Sequence, residues 1–323
     1  MAHLVENMAY VGQTPWHGLG NRLTPHQPLE VWRQQAGLDW HIEEAPVRFI
    51  DSPRGGLGEI LSFEDHKVLY RSDSRAPLSV VSQRYKVVQP KAILEFYRDL
   101  TEVSGFELET AGVLKGGRKI WALARTGQTG VLKGNDRTDA YVLLATACDG
   151  TMATTAQFTS VRVVCNNTLA VALNGQSQAV KVSHRSVFDP DAVKRQLGIS
   201  VSAWDEFMYR LKRLSERQVK DTEVRTFLRS VFQDQTAQRT KATITPVNER
   251  AMETVRALYD GRGRGAHLPS SHRTAYGLLN AVTEFVDHER RSRTADHRLD
   301  SAWFGQGATL KRKALDQALR LTA

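Results

Sequence analysis

Apolar positions recur at two different periods in this chain. Up to about residue 187, short β-prone runs alternate with turn signals; beyond it a spacing near 3.6 takes over. Residues 1–30 are irregular, broken by Pro15, Gly18, Gly20, Pro25 and Pro28, and Pro28 opens a short helix through Val31 and Trp32 to Ala36. Residues 40–50 and 58–71 read as strands, the latter broken by an acidic turn at Glu64-Asp65, and residues 78–88 read as extended. Pro90 precedes an amphipathic helix whose stripe is Ile93, Leu94, Phe96, Tyr97, Leu100 and Val103. Residues 106–114 and 118–125 form a hairpin around Lys115-Gly116-Gly117.

Residues 139–173 then read as strand, tight turn, strand, helix. Asp149-Gly150 separates two apolar runs, as a hairpin turn with positive φ requires. After Thr159-Ser160, a natural N-cap pair, Val161, Val164, Cys165, Thr168, Leu169, Ala172 and Leu173 follow helical spacing. From residue 188 the pattern predicts helices over 189–197, 203–218, 223–232, 246–259, 273–290 and 307–321, with Gly261-Arg262-Gly263-Arg264-Gly265 as a flexible basic linker. The expectation is an α+β fold: antiparallel hairpins in a meander with packed helices around a β-β-β-α core (residues 1–187), then a mostly helical C-terminal region (188–323).

The 323 residues carry 44 Lys and Arg against 35 Asp and Glu, a net charge of +9. Such a surplus serves solubility or a polyanionic partner; the Arg-rich C-terminal half suits bidentate phosphate contacts. Two cysteines, Cys148 and Cys165, lie in apolar runs and read as buried free thiols of a reducing compartment. No apolar run is long enough to span a membrane, and residues 1–8 lack the basic and apolar regions of a secretory signal, so a cytoplasmic protein is expected.

Catalytic signatures are sparse. The ten histidines form no His-x-x-x-His or Glu-x-x-His pair on a helix, and there is no Cys-x-x-Cys, phosphate loop or nucleophile elbow. Glu107, Glu109 and Lys119 could imitate a two-carboxylate-plus-lysine nuclease site, or be alternating charges on a solvated strand. No catalytic residue, metal or cofactor is assigned. The cations are richer. Arg118 and Lys119 follow one turn, Arg137 precedes the next strand, Arg162 begins the helix, and Lys181, His184 and Arg185 come after it. On neighbouring strands these would converge into a groove that neutralises phosphates without reading bases. Asn166 and Asn167 donate amides to phosphate or sugar, or solvate a helix face. Tyr85, between Arg84 and Lys86, is a stacking platform or a core residue. Trp16 reads as a core plug beside His17. Arg290, Arg291 and Arg293, with Lys311-Arg312-Lys313, are a second basic patch or dipole-compensating helix ends.

Several blocks carry a family resemblance. Met1-Ala2-His3, Met8-Ala9-Tyr10-Val11-Gly12 and Pro15-Trp16-His17-Gly18-Leu19-Gly20 resemble the start of a family of phage- and plasmid-related proteins of unknown function. The segments 80–90, Asp149-Gly150 with 162–169, 280–288 and Trp303-Phe304-Gly305 are similar to its later blocks. This implies a mobile-element protein and carries over no activity. The strand-strand-strand-helix order read over 118–173 resembles, in topology, the core of single-strand annealing proteins of the phage Red-beta and eukaryotic recombination-mediator type, which form rings around single-stranded DNA. The functional expectation is therefore a non-enzymatic, homo-oligomeric protein, in a ring as those proteins are, that binds and anneals single-stranded DNA. The alternative is a phage or plasmid protein that binds a host protein, for example against defence.

Overall fold

A computed structural model describes residues 5–12, 20–51, 58–164, 167–170, 172–173, 176–177, 179–201, 204–233 and 248–322. In chain order these form β1 (Val5–Val11), β2 (Asn21–Leu23), α1 (Leu29–Gln35), β3 (Ile42–Asp51), β4 (Glu59–Arg71), β5 (Pro77–Ser82) and α2 (Pro90–Ser104). There follow β6 (Glu107–Leu114), β7 (Lys119–Leu132), β8 (Asp136–Ala147), β9 (Thr154–Arg162), β10 (Asn167–Ala170), β11 (Ala172–Leu173), β12 (Gln176–Ser177) and β13 (Val180–Val182). Helices α3 (Pro190–Val201), α4 (Trp204–Glu216), α5 (Asp221–Phe232), α6 (Glu249–Ala257), α7 (Ala275–Glu284), α8 (Ala295–Phe304) and α9 (Gln306–Arg320) complete the described chain. The class is α+β, with antiparallel sheets in the N-terminal half and helices toward the C-terminus.

The largest sheet runs β10-β9-β8-β7-β6-β1-β2. Strands β1 and β2 pair in parallel, whereas β1–β6, β6–β7, β9–β10 and β9–β13 are antiparallel. The β9 edge away from β8 is shared: β10 takes residues 159–162 and β13 takes 154–156. A second sheet has the order β3-β4-β5. The chain divides into two compact units. Unit 1 comprises residues 1–126, 142–157 and 179–197; unit 2 comprises 127–141, 158–178 and 198–323.

In unit 1, α2 forms where its sequence says it should. Pro90 occupies the first turn, Ile93, Leu94, Phe96 and Tyr97 of the apolar stripe are buried, and Gly105 ends the helix at φ 67°, a left-handed conformation that favours glycine. The Tyr97 hydroxyl, fully buried, lies 2.8 Å from the Ala122 carbonyl oxygen and 3.1 Å from that of Val142, and accepts from the Leu144 N–H. It thereby fastens α2 to β7 and β8. The hairpin around Lys115-Gly116-Gly117 is formed, with Leu114 opposite Lys119 and Glu107 opposite Arg125. That register places Glu107 and Lys119 at opposite ends of the ladder, and Glu109 is ion-paired with Arg125, so these three residues do not converge. The Cys148 thiol is buried, and burial pushes it up to about 12. Cys165, Trp16 and His17 lie outside the described residues.

Three local readings are corrected. Glu64-Asp65 is not a turn: β4 runs through it, and the register jump from Pro46↔Lys67 to Val47↔Phe63 makes it a bulge. Beyond that bulge both strands expose apolar side chains, Phe49, Ile50, Ile60, Leu61 and Phe63. The described residues of 161–173 do not form a helix. The segment continues β9 to Arg162 and returns as β10, so the fourth element of the β-β-β-α order is a strand. Its β-branched residues suit a pleated surface, and burial alternates with period two over Asn167, Thr168, Leu169 and Ala170. Both hydroxyls of the expected N-cap, Thr159 and Ser160, donate to the Leu169 carbonyl oxygen across the strand pair. Finally, Gly261-Arg262-Gly263-Arg264-Gly265 is not a free linker but is hydrogen-bonded into unit 2, as described below.

Unit 2 packs its helices around α7, every residue of which is buried. Phe158, Trp204 and Phe207 form an aromatic chain with centroid separations of 5.9 and 5.8 Å. A Cβ on Gly277 would lie 1.9 Å from the Ser271 carbonyl oxygen, so only glycine lets α7 approach the loop that precedes it. Helix α8, absent from the sequence reading, starts at Thr294, whose hydroxyl accepts from the His297 N–H.

Candidate functional site

Each unit holds part of the residue set marked in the sequence. In unit 2, Asp136 opens β8 and Arg162 closes β9, so the two meet across neighbouring strands. The Arg162 Nε and Nη2 donate to both Asp136 carboxylate oxygens, with the shortest contact 2.6 Å. Nη2 also donates to Ser271 Oγ at 2.8 Å, and the Ser270 hydroxyl donates to Asp136 Oδ2 at 2.6 Å. The carbonyls of Arg264 and Gly265 close over the guanidinium, and the Tyr276 ring lies 5.3 Å from it. Burial pushes the Tyr276 hydroxyl up to about 12. The Arg162 side chain is 4% exposed and that of Asp136 0%. Arg162 is therefore a buried cross-strand clamp, not a phosphate contact on a helix.

Asn167 is likewise turned inward. Its amide nitrogen donates to Thr283 Oγ1, and its oxygen lies 3.1 Å from His288 Nε2. The next residue, Thr168, donates its backbone N–H to Asp287 Oδ2 at 2.8 Å. Lys311 Nζ donates to Asp287 Oδ1 and to Thr168 Oγ1, each at 2.8 Å. Burial lowers the Lys311 ammonium below the usual lysine range, against the pull of Asp287. Asn166 lies outside the described residues. Arg137 remains exposed and pairs with Asp139.

The Gly-Arg-Gly-Arg-Gly segment covers this centre. It begins in a π-helical turn at Leu258–Arg262 after α6, and a second such turn, Phe285–Glu289, ends α7. Both Glu284 oxygens accept the Arg264 N–H, at 3.1 and 3.0 Å. Burial raises the Glu284 carboxyl above the usual range. A folded-state value above the unfolded one means the folded form binds more protons, so this group's contribution to stability is present below the unfolded pKa and lost as pH rises through the folded one. Glu284→Gln keeps an oxygen for Arg264 and removes the titration. Its stability relative to wild type should rise between pH 4 and pH 7 in urea titrations; a pH-independent difference would contradict this.

Unit 1 holds the remaining residues. Lys119 is buried. Tyr85 is not a stacking platform: its hydroxyl donates to the Ala147 carbonyl at 2.6 Å, and its ring stacks on His184 with centroids 4.4 Å apart. The His184 ring nitrogens face the Lys86 and Met152 carbonyl oxygens. In unit 2 the aromatic side chains of Tyr141 and Phe158 are buried too. What stays exposed is a set of cations: Arg84, Lys86, Arg118, Lys181 and Arg185. Their backbones are tied together. The Lys86 N–H donates to the His184 carbonyl, the Cys148 N–H to that of Arg118, and Ser79 Oγ to that of Cys148. Lys181 is held on β13 opposite Thr155 of β9.

Sequence reasoning missed Asp136, Ser270, Ser271, Glu284 and Asp287, and it placed Lys311 in a basic patch or helix end, whereas the side chain is buried. A signal existed for two of them: Glu284 and Asp287 interrupt an otherwise apolar helix, and a carboxylate inside such a run is the informative exception. Among the described residues no group of three His, Cys, Asp or Glu gathers as for a metal ion, and no helix is long and apolar enough to cross a membrane. Residues 77–303 match the model of a family described as a domain of unknown function, DUF932. Nothing among the curated proteins matches the chain, and no solved structure does.

Proposed function

The chain belongs to the DUF932 family of domains of unknown function, and we propose that it is a cytoplasmic mobile-element protein that binds and anneals single-stranded DNA, as a homo-oligomer and without catalysing a reaction. The observation that carries this reading is the exposed cation set of unit 1: Arg84, Lys86, Arg118 and Arg185 on hydrogen-bonded loops, and Lys181 on β13. Cations on fastened backbone neutralise phosphates and release counterions with little further ordering. Tyr85 and His184 are stacked on each other, so the same surface offers no ring to a base. A strand held by its backbone alone keeps its base edges free for a complement, which is what annealing demands. The mobile-element origin rests on the family resemblance above; the annealing step rests on the free base edges alone, because the fourth element of the strand-strand-strand-helix order is the strand β10.

The test is fluorescence anisotropy with a labelled oligothymidylate across a salt series. Arg84→Ala/Lys86→Ala/Arg185→Ala should weaken binding at least tenfold at low salt. It should also reduce the slope of log K against log salt by about 2, from roughly 0.7 per phosphate contact on a single strand. Unchanged affinity and slope would sink the assignment of this surface. No binding of wild type at low salt would sink nucleic acid as the partner and leave the host-protein alternative.

A further inference from the structure

We propose that unit 2 holds a phosphate-binding pocket between the end of α7 and the first turns of α8, distinct from the exposed cations of unit 1. A cavity of about 320 Å³ lies there, with Arg290, Arg291, Arg293, Arg298 and His297 in its wall. That volume falls in the range of small-molecule sites. Four guanidinium groups within nine residues repel one another unless an anion joins them.

The carboxylates on the preceding segment are committed elsewhere. Glu284 accepts the Arg264 N–H, Asp287 holds Lys311, and Glu289 pairs with Arg262. Arg290 spends its guanidinium on neutral oxygens, donating to Ser301 Oγ at 3.2 Å and Gln306 Oε1 at 3.1 Å. Arg298 donates to the His288 carbonyl at 2.7 Å. These contacts orient the two side chains. No ion pair joins Arg290, Arg291 or Arg293 to a carboxylate among the described residues.

The loop between them is ordered by its own bonds: Ser292 Oγ donates to the Thr294 carbonyl, and Thr294 Oγ1 lies 2.9 Å from His297 Nδ1. Guanidinium groups around a cavity, two of them oriented by hydrogen bonds, fit phosphate oxygens in bidentate fashion. The one apolar side chain in the wall is Val286. The pocket therefore recognises a phosphate group and not a base. That group can belong to a free nucleotide or to the 5′ end of a nucleic-acid strand.

Calorimetric titration of the full chain distinguishes these sources. Adenosine triphosphate should bind saturably at one site per chain, and adenosine should not. Arg291→Ala/Arg293→Ala, which changes two exposed side chains, should weaken the triphosphate at least tenfold with an unchanged melting temperature. Arg290→Gln is the second variant and should also weaken it. A 5′-phosphorylated oligothymidylate favoured at least fivefold over the 5′-hydroxyl form, with the preference lost in the variant, assigns the strand end. Equal affinities of the two oligonucleotides, with the triphosphate still bound, assign the free nucleotide. Absence of saturable triphosphate binding by wild type overturns the proposal, and so does binding that both variants leave unchanged. Arg84→Ala/Lys86→Ala/Arg185→Ala should bind the triphosphate as wild type does, so failure here is separable from failure of the single-strand reading.

Discussion

Asp136→Ala should lower the stability of the protein by about 3–5 kcal/mol, the cost of removing one member of a buried ion pair. Urea titration followed by circular dichroism measures it. The change leaves the Arg162 guanidinium in a site that is 4% exposed, with no carboxylate beside the Ser271 hydroxyl, the Arg264 and Gly265 carbonyls and the Tyr276 ring among its described partners. It also strips the Ser270 hydroxyl of its acceptor. The loss comes from the stranded charge more than from the missing attraction. Asp136→Leu/Arg162→Met should therefore recover much of the stability, because isosteric apolar pairs often replace buried ion pairs without net cost. A double variant as unstable as the single one would show that the serines and the covering loop depend on the charges themselves. For the same reason, weaker DNA binding by an Arg162 variant would report on folding.

Lys311→Met should cost a similar amount, about 3–5 kcal/mol, and here no apolar double variant should rescue it. Asp287 holds more than the ammonium: one oxygen accepts the Thr168 N–H that starts β10. Lys311→Met/Asp287→Leu would leave that half-buried backbone donor without its carboxylate acceptor, a penalty of up to about 1–3 kcal/mol in its own right. Asp287→Asn with Lys311→Met, which keeps an acceptor for Thr168, should be the more stable double variant. Equal stability of the two doubles in urea titration would refute this role of the carboxylate.

Much of the fold was legible from local pattern. Pro90, the apolar stripe and Gly105 fix α2 within one window, and Lys115-Gly116-Gly117 fixes the β6–β7 hairpin. Segment 161–173 misled because Val-Arg-Val-Val-Cys-Asn-Asn-Thr-Leu satisfies a helical spacing and a period of two equally well. Pairing with β9 decides between them, and the sequence of one segment does not contain that information. The site was less legible. Charged and amide side chains are ordinarily exposed, so Arg162, Lys119 and Asn167 read as surface. What buries Arg162 is a serine 109 residues further on, a partner that no spacing rule links to it. Arg84, by contrast, was noticed only as a neighbour of Tyr85, although it and not the ring faces solvent.

The division into units has a consequence for how the chain can be cut. The two units alternate along the sequence in six segments, so the backbone passes from one to the other five times. The two short segments of unit 2, 127–141 and 158–178, supply Asp136, Arg162, Asn167 and Thr168 to helices that come after residue 198. A fragment ending near residue 187 would keep the Asp136–Arg162 pair and lose the serines and loop that enclose it. A fragment starting there would bury Lys311 and Asp287 beside an empty β10 position. Each piece carries half of one polar centre, so the two belong together as complementing fragments and neither is an autonomous module.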